Sequence, residues 1–243
     1  MRRVTVNADL GEAIGIHSFG NDDALLDIVD SVNIACGMHA GDPSEMRRVV
    51  AKAAERGVTI GAHPGLPDLV GFGRRAMAMD AGEVRDLVRY QVGALVAFLD
   101  DVGAALHHVK PHGALFGMAM ADVDIMRGVC EVAAQFDAGV YGLQGTAHEE
   151  AAREVGVPFF SELYVDLDYD DDGVLVIERR ARPTEVASAR QRTRDAVGSG
   201  LLRTVSGQSR TVTVDTVCVH SDLPNAVEVA TAVREEIDAL AAE

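Results

Sequence analysis

At 243 residues, 48% hydrophobic and 25% charged, the chain is long enough for one large α/β domain or two small ones, and with only three cysteines it is no disulfide-stapled miniprotein. Its 22 Lys and Arg stand against 38 Asp and Glu, a formal charge of −16 that offers no electrostatic grip on nucleic acid or anionic lipid. No window reaches the roughly 18 apolar residues of a membrane span. Cys36, Cys130 and Cys218 lie far apart with no CxxC pair, and the first residues run directly into a strand pattern without a signal-peptide core. A cytoplasmic setting is expected.

Taken in order, short β-branched runs predict seven strands, at Val4–Asp9, Ser31–Cys36, Val58–His63, Leu106–Lys110, Ala138–Gly142, Val157–Glu162 and Asp215–His220. Helical patterns lie between them, at Asp22–Asp30, Ser44–Arg56, Ala81–Val102, Asp122–Phe136, Thr146–Glu154, Thr184–Ser199 and Asn225–Ala242. This alternation signals parallel strands joined by helical crossovers. Two long connections, Pro64–Asp80 and Leu163–Pro183, are candidate functional loops. With no linker or repeat in the chain, a single domain spanning residues 1–243 is the simplest reading.

The strands alternate. Val6 and Ala8 interleave with Asn7 and Asp9, Ile60 and Ala62 with Gly61 and His63, and Val217 and Val219 with Cys218 and His220. Strands of an open doubly wound sheet would be apolar on both faces. One aliphatic and one polar face instead predicts a closed barrel, packed on helices outside and carrying a site at its mouth, so the expected fold is a single seven-stranded TIM-like β/α barrel.

Chemistry-bearing residues gather at the predicted strand ends. Asp9 and Glu12 follow the first strand, Asn33 and His39 belong to the second strand and its loop, and His63 closes the third in Gly-Ala-His-Pro-Gly. Next, Gly71-Phe-Gly73-Arg74-Arg75-Ala76 mimics a dinucleotide fingerprint, but no strand immediately precedes it and no helix begins inside it. A glycine-rich lid bearing two arginines for a carboxylate or phosphate is the better reading. His108, Lys110 and His112 are spaced two apart, and Lys110 is one of only two lysines. On an inner strand face its ammonium calls for an anionic partner. His107, of opposite parity, reads as structural, and Cys36 as a small buried hydrophobe. Glu162 and Asp166 follow the sixth strand; His220 and Asp222 follow the seventh. His39, His63, His112 and His220 with Asp9 suit either a divalent metal or a metal-free cluster around an anion, and no HxxxH spacing decides between them.

With these motifs in view, the chain resembles the LamB/YcsF family of bacterial 5-oxoprolinase A subunits. The likeness is carried by Val4-Thr-Val-Asn-Ala-Asp-Leu-Gly-Glu12, Asn33-Ile-Ala-Cys-Gly-Met-His-Ala-Gly-Asp42, Gly61 through Arg75, His108-Val-Lys-Pro-His-Gly-Ala-Leu115 and Cys218-Val-His220. It implies a seven-stranded barrel, ATP-dependent opening of 5-oxo-L-proline to L-glutamate with ATP and Mg²⁺, and two partner subunits, B and C. Carried over to this sequence, Asp9, Glu12, His39, His63, Lys110 and His112 would be catalytic, and Asn7, Asn33, Arg74, Arg75, Asp166, His220 and Asp222 would bind substrate. The chain departs from the family pattern at Ala13-Ile14, at Ser221 in His220-Ser221-Asp222, and at Leu167, where the family carries an arginine. A metal-dependent amide hydrolase or deacetylase of related fold, and a diverged non-catalytic subunit, are the alternative readings.

Overall fold

The computed structural model describes residues 3–17, 20–176 and 182–242. Seven parallel strands close into a barrel: β1 (Thr5–Leu10), β2 (Ser31–Ala35), β3 (Thr59–His63), β4 (His108–Val109), β5 (Gly139–Gly142), β6 (Phe159–Tyr164) and, last in the chain, β11 (Thr216–His220), which seals the wall between β6 and β1. Two antiparallel hairpins stand outside it. The first pairs β7 (Asp168–Tyr169) with β8 (Leu175–Val176), and the second pairs β9 (Leu201–Arg203) with β10 (Ser209–Thr211). The second hairpin falls in a stretch without a periodic hydrophobic signal, and residues 177–181 of the long connection before Pro183 lie outside the described residues.

The predicted parity holds around the wall. Val6, Ala8, Val32, Ile34, Ile60, Ala62, Val109, Val140, Val217 and Val219 are buried in the hydrophobic core that joins the outer barrel face to the helices. The α-helices are α1 (Asp22–Leu25), α2 (Pro43–Glu55), α3 (Ala81–Val102), α4 (Gly113–Ala121), α5 (Val123–Gln135), α6 (Ala147–Val155), α7 (Val186–Thr193), continued by a π-helical turn over Arg194–Gly198, and α8 (Ala226–Ala241). Local chemistry sets several starts. Asp42 accepts the Ser44 and Glu45 amides at the head of α2 with Pro43 in the first turn, and Asp80 and Glu83 form a reciprocal capping box on α3. Helix α4, Gly-Ala-Leu-Phe-Gly-Met-Ala-Met-Ala, is absent from the predicted elements because it is apolar all round and has no amphipathic stripe. Among the described residues no helix is long and apolar enough to cross a membrane.

Polar side chains fill the barrel. The Asn33 amide donates to Asn7 Oδ1 and Asp9 Oδ1, both at 2.7 Å, and Asn33 Oδ1 accepts from His108 Nε2 at 2.5 Å. His108 stacks on Tyr141 with ring centroids 3.6 Å apart, and Tyr141 reaches Ser31. The His108 ring crosses the barrel only because position 61 is glycine: a Cβ there would stand 2.2 Å from His108 Nε2.

Candidate active site

Above this polar plug the strand ends open into a cavity of about 240 Å³ lined by Asp9, His63, Lys110, His112, Tyr164 and His220, with Arg74, Asp166, Leu167, Arg182 and Asp222 from the loops. This is the C-terminal face, where parallel barrels build their sites from strand-end loops.

Lys110 is fully buried between two of the chain's own carboxylates, Asp9 at 3.0 Å and Glu162 at 2.9 Å, with Cys218 Sγ at 3.0 Å and the Tyr164 ring 5.2 Å from its ammonium. The anionic partner expected for this lysine is thus supplied by the fold. Burial disfavours its charge, but Asp9, Cys218 and Glu162 outweigh that and raise its pKa well above the ordinary value. Asp9 behaves in mirror image: burial would raise its pKa, and His63, Lys110 and His220 outweigh it and hold the carboxyl well below the usual range. His220 lies across the mouth, its Nδ1 2.8 Å from Asp166 and its Nε2 3.6 Å from Asp9. Burial works against its charge, yet the Asp166 carboxylate and its hydrogen bond raise the pKa to about 9, so His220 is a cation at neutral pH.

A second group sits beside the first, beneath the loop that follows β3. His39 and His112 stack in parallel with centroids 3.7 Å apart, and His63 meets both edge-on at 5.5 and 4.9 Å. Glu12 Oε1 is 3.4 Å from His39 Nε2 and 3.9 Å from His112 Nδ1. Gly73 roofs the group. Its φ of +63° suits glycine, and a Cβ there would stand 2.7 Å from His39 Cβ and 2.8 Å from His112 Cδ2. Burial first, and neighbouring imidazoles second, lower the pKa values of His39 and His112 well below that of free histidine; burial, with Asp9 and Asp222, raises that of Glu12.

The structure therefore gathers Asp9, Glu12, His39, His63, Lys110, His112, Asp166, His220, Asp222 and Arg74 at one mouth. Three expected substrate contacts stand elsewhere. Asn7 and Asn33 lie beneath the cavity, Asn33 donating to Asp9 and Asn7 holding Asn33, and Arg75 turns away, its guanidinium on Asp68 with 57% of its side chain exposed. Tyr164 is the cavity-lining group absent from the expected set, and Glu162, expected after the sixth strand without a stated role, is the second carboxylate on Lys110. The sixth strand was expected to end at Glu162, whereas it starts after Pro158 and ends at Tyr164, which carries Glu162 down onto the inner face. Tyr164 Oη donates to Glu162 Oε2 at 2.6 Å. Cys36 is buried and burial pushes its thiol up to about 12, as a structural cysteine should be.

Comparison with known proteins places this mouth in a family. The LamB/YcsF family pattern matches residues 4–243. The chain belongs to the LamB/YcsF family. It is 46% identical over 228 residues to the 5-oxoprolinase A subunit of Limosilactobacillus fermentum, covering 91% of this chain and 90% of that one. Against the 5-oxoprolinase A subunit of Bacillus subtilis it is 41% identical over 245 residues, with 98% and 95% coverage. The crystal structure of a lactam utilization protein from Thermus thermophilus superposes with a TM-score of 0.89 at 41% identity, covering 98% of this chain and 97% of that one.

Proposed function

We propose that this LamB/YcsF chain is the A subunit of a cytoplasmic, ATP-dependent 5-oxoprolinase that opens 5-oxo-L-proline to L-glutamate together with B and C subunits. The observation that carries the reading is the 46% identity to the A subunit of one 5-oxoprolinase across nine-tenths of both chains. The cavity supports it, because its cations suit a small lactam acid: Arg74, Arg182 and the His220 imidazolium line the wall where the substrate carboxylate would lie. Lys110 lies deeper and offsets negative charge developing on the lactam oxygen as water adds to its carbonyl carbon. Asp9, ionised and 3.3 Å from His63, takes the proton of that water and returns it to the ring nitrogen as the C–N bond breaks and the nitrogen leaves as the amine. Leu167 lines the cavity, whose guanidinium groups are those of Arg74 and Arg182.

Magnesium–ATP is poorly suited to this cavity. Magnesium seeks several free oxygen ligands, whereas Asp9 is engaged by Lys110, Asp166 by His220 and Asp222 by Arg74. In this proposal ATP and its magnesium belong to a partner subunit. The test is 5-oxoproline-dependent ADP and glutamate release by separately purified A, B and C chains. All three together should turn over, and the mixture lacking this chain should not form glutamate. Full glutamate formation without this chain would overturn the proposal.

A further inference from the structure

The hydrogen bonds around His63 and His112 fix where their protons are. His63 Nδ1 is 2.8 Å from the Lys110 carbonyl oxygen, and His112 Nε2 is 2.8 Å from the Phe72 carbonyl oxygen. A carbonyl oxygen only accepts, so each of these ring nitrogens carries the hydrogen. The remaining nitrogens, His63 Nε2 and His112 Nδ1, face each other 3.0 Å apart. In neutral rings those two atoms both present lone pairs, and such a contact is stable only with a cation between them.

Two further groups converge on the same point. His39 is wholly buried, yet neither of its nitrogens has a hydrogen-bond partner among the described residues. Buried polar atoms left so are rare and call for a cause. Glu12 brings a buried carboxylate whose other oxygen accepts from Ser221 Oγ at 3.3 Å. One donor atom from each of Glu12, His39, His63 and His112 lies within 4.8 Å of all the others.

We propose that Glu12, His39, His63 and His112 form a binding site for one divalent transition-metal ion of the zinc type. A bridging proton would satisfy His63 and His112 but leave His39 orphaned; an ion satisfies all four groups. Donors held about 2.0–2.1 Å from a tetrahedral ion stand about 3.3 Å apart, and the contacts here are 3.0, 3.4 and 3.9 Å. Because the His39 and His112 planes are parallel, both cannot contain the ion as they stand. The bound form needs a turn of the His39 ring about its Cβ–Cγ bond, and no hydrogen bond holds that ring back. The outer N–H groups of His63 and His112 already rest on backbone carbonyls, the support that orients metal-bound imidazoles. Three imidazoles and one carboxylate suit zinc, and not magnesium, which takes oxygen ligands. Both His63 and His112 line the cavity, which provides a path of entry.

The test needs neither substrate nor partner subunits, so its outcome is separable from the fate of the 5-oxoprolinase reading. Chelator-stripped wild-type protein is titrated with ZnCl₂ by calorimetry, and the bound metal is counted after desalting; Co²⁺ is then used as a spectroscopic stand-in. One ion per chain, with the intense visible bands of four-coordinate Co²⁺, is expected. His112→Ala and Glu12→Gln should weaken zinc binding by more than about 10-fold, the loss already seen when only a supporting partner of a ligand is removed. The exposed His17→Ala is the control and should leave binding unchanged. Wild-type protein that is folded by circular dichroism but retains no stoichiometric zinc overturns the proposal and leaves a shared proton as the cation between His63 and His112. Zinc binding undiminished in Glu12→Gln and His112→Ala overturns it as well, by placing the ion elsewhere.

Discussion

On the β1, β4, β6 and β11 side of the mouth, opposite charges alternate: Asp9, Lys110 and Glu162 in one run, His220 and Asp166 in another. On the side beneath Gly73, imidazoles crowd together with one carboxyl group, and burial keeps His39 and His112 neutral and favours the protonated form of Glu12. Burial opposes charge on both sides, His220 alone among these groups keeping 17% of its side chain exposed. The difference lies in the neighbours. A buried charge persists where an opposite charge lies within about 3 Å, and is lost where like groups surround it.

The sharpest way to break the charged side is Lys110→Met. The substitution keeps most of the length of the side chain but leaves Asp9 and Glu162 buried without their shared cation. Removing one partner of a buried ion pair costs on the order of 3–5 kcal/mol, so urea unfolding at pH 7 should show a loss of that size. Adding Glu162→Gln, which removes one of the stranded carboxylates, should recover part of it. A loss below about 1 kcal/mol, the range of an exposed pair, would mean that Lys110 does not hold this side together.

His220 gives a smaller effect with a characteristic pH dependence. The groups facing it are Asp166, Asp9, Lys110 and the stacked Tyr164 ring. Its pKa in the folded protein, about 9, exceeds the ordinary 6.5. Its contribution to stability is therefore complete below about pH 6.5 and is lost as pH rises through 9. Replacement by Gln should cost on the order of 2–3 kcal/mol at pH 6, and the gap between the two proteins should close by about pH 10. A gap that stays constant from pH 6 to pH 10, measured by denaturant unfolding, would show that His220 acts by packing rather than by charge.

The contrast between the two sides was only half legible in the sequence. Period-two alternation exposed the polar inner face, because a barrel whose outside packs on helices forces the two parities apart, and that placed Asp9, His63, Lys110 and His220 correctly at the mouth. Partner choice was not readable. Lys110 called for an anion, but a linear pattern cannot show that Glu162, 52 positions later, arrives across the barrel to meet it. The roles of Asn7 and Asn33 were hidden for the same reason. Parity puts an asparagine inside, and only strand register shows whether it meets the cavity or, like Asn33, the carboxylate beneath it.

Arg74 and Arg75 show the same limit within two adjacent residues, and they yield the smallest predicted difference. In sequence they are equivalent lid arginines. In the fold Arg74 is nearly buried, lies 2.9 Å from Asp222 and faces the cavity, whereas Arg75 points outward to Asp68, which caps the Gly71 amide of the same loop. If the cavity binds the carboxylate of a lactam acid, Arg74→Ala removes a charge-assisted hydrogen bond worth about 1.5–3 kcal/mol, and kcat/KM of the reconstituted enzyme should fall roughly 10- to 100-fold. Arg75→Ala should stay within about 2-fold, the scale of a surface substitution away from the site. Equal losses in both variants would show that the loop acts as a unit, with Arg75 holding through Asp68 the turn that aims Arg74; a loss confined to Arg74 would show that the cavity cation acts directly on the substrate.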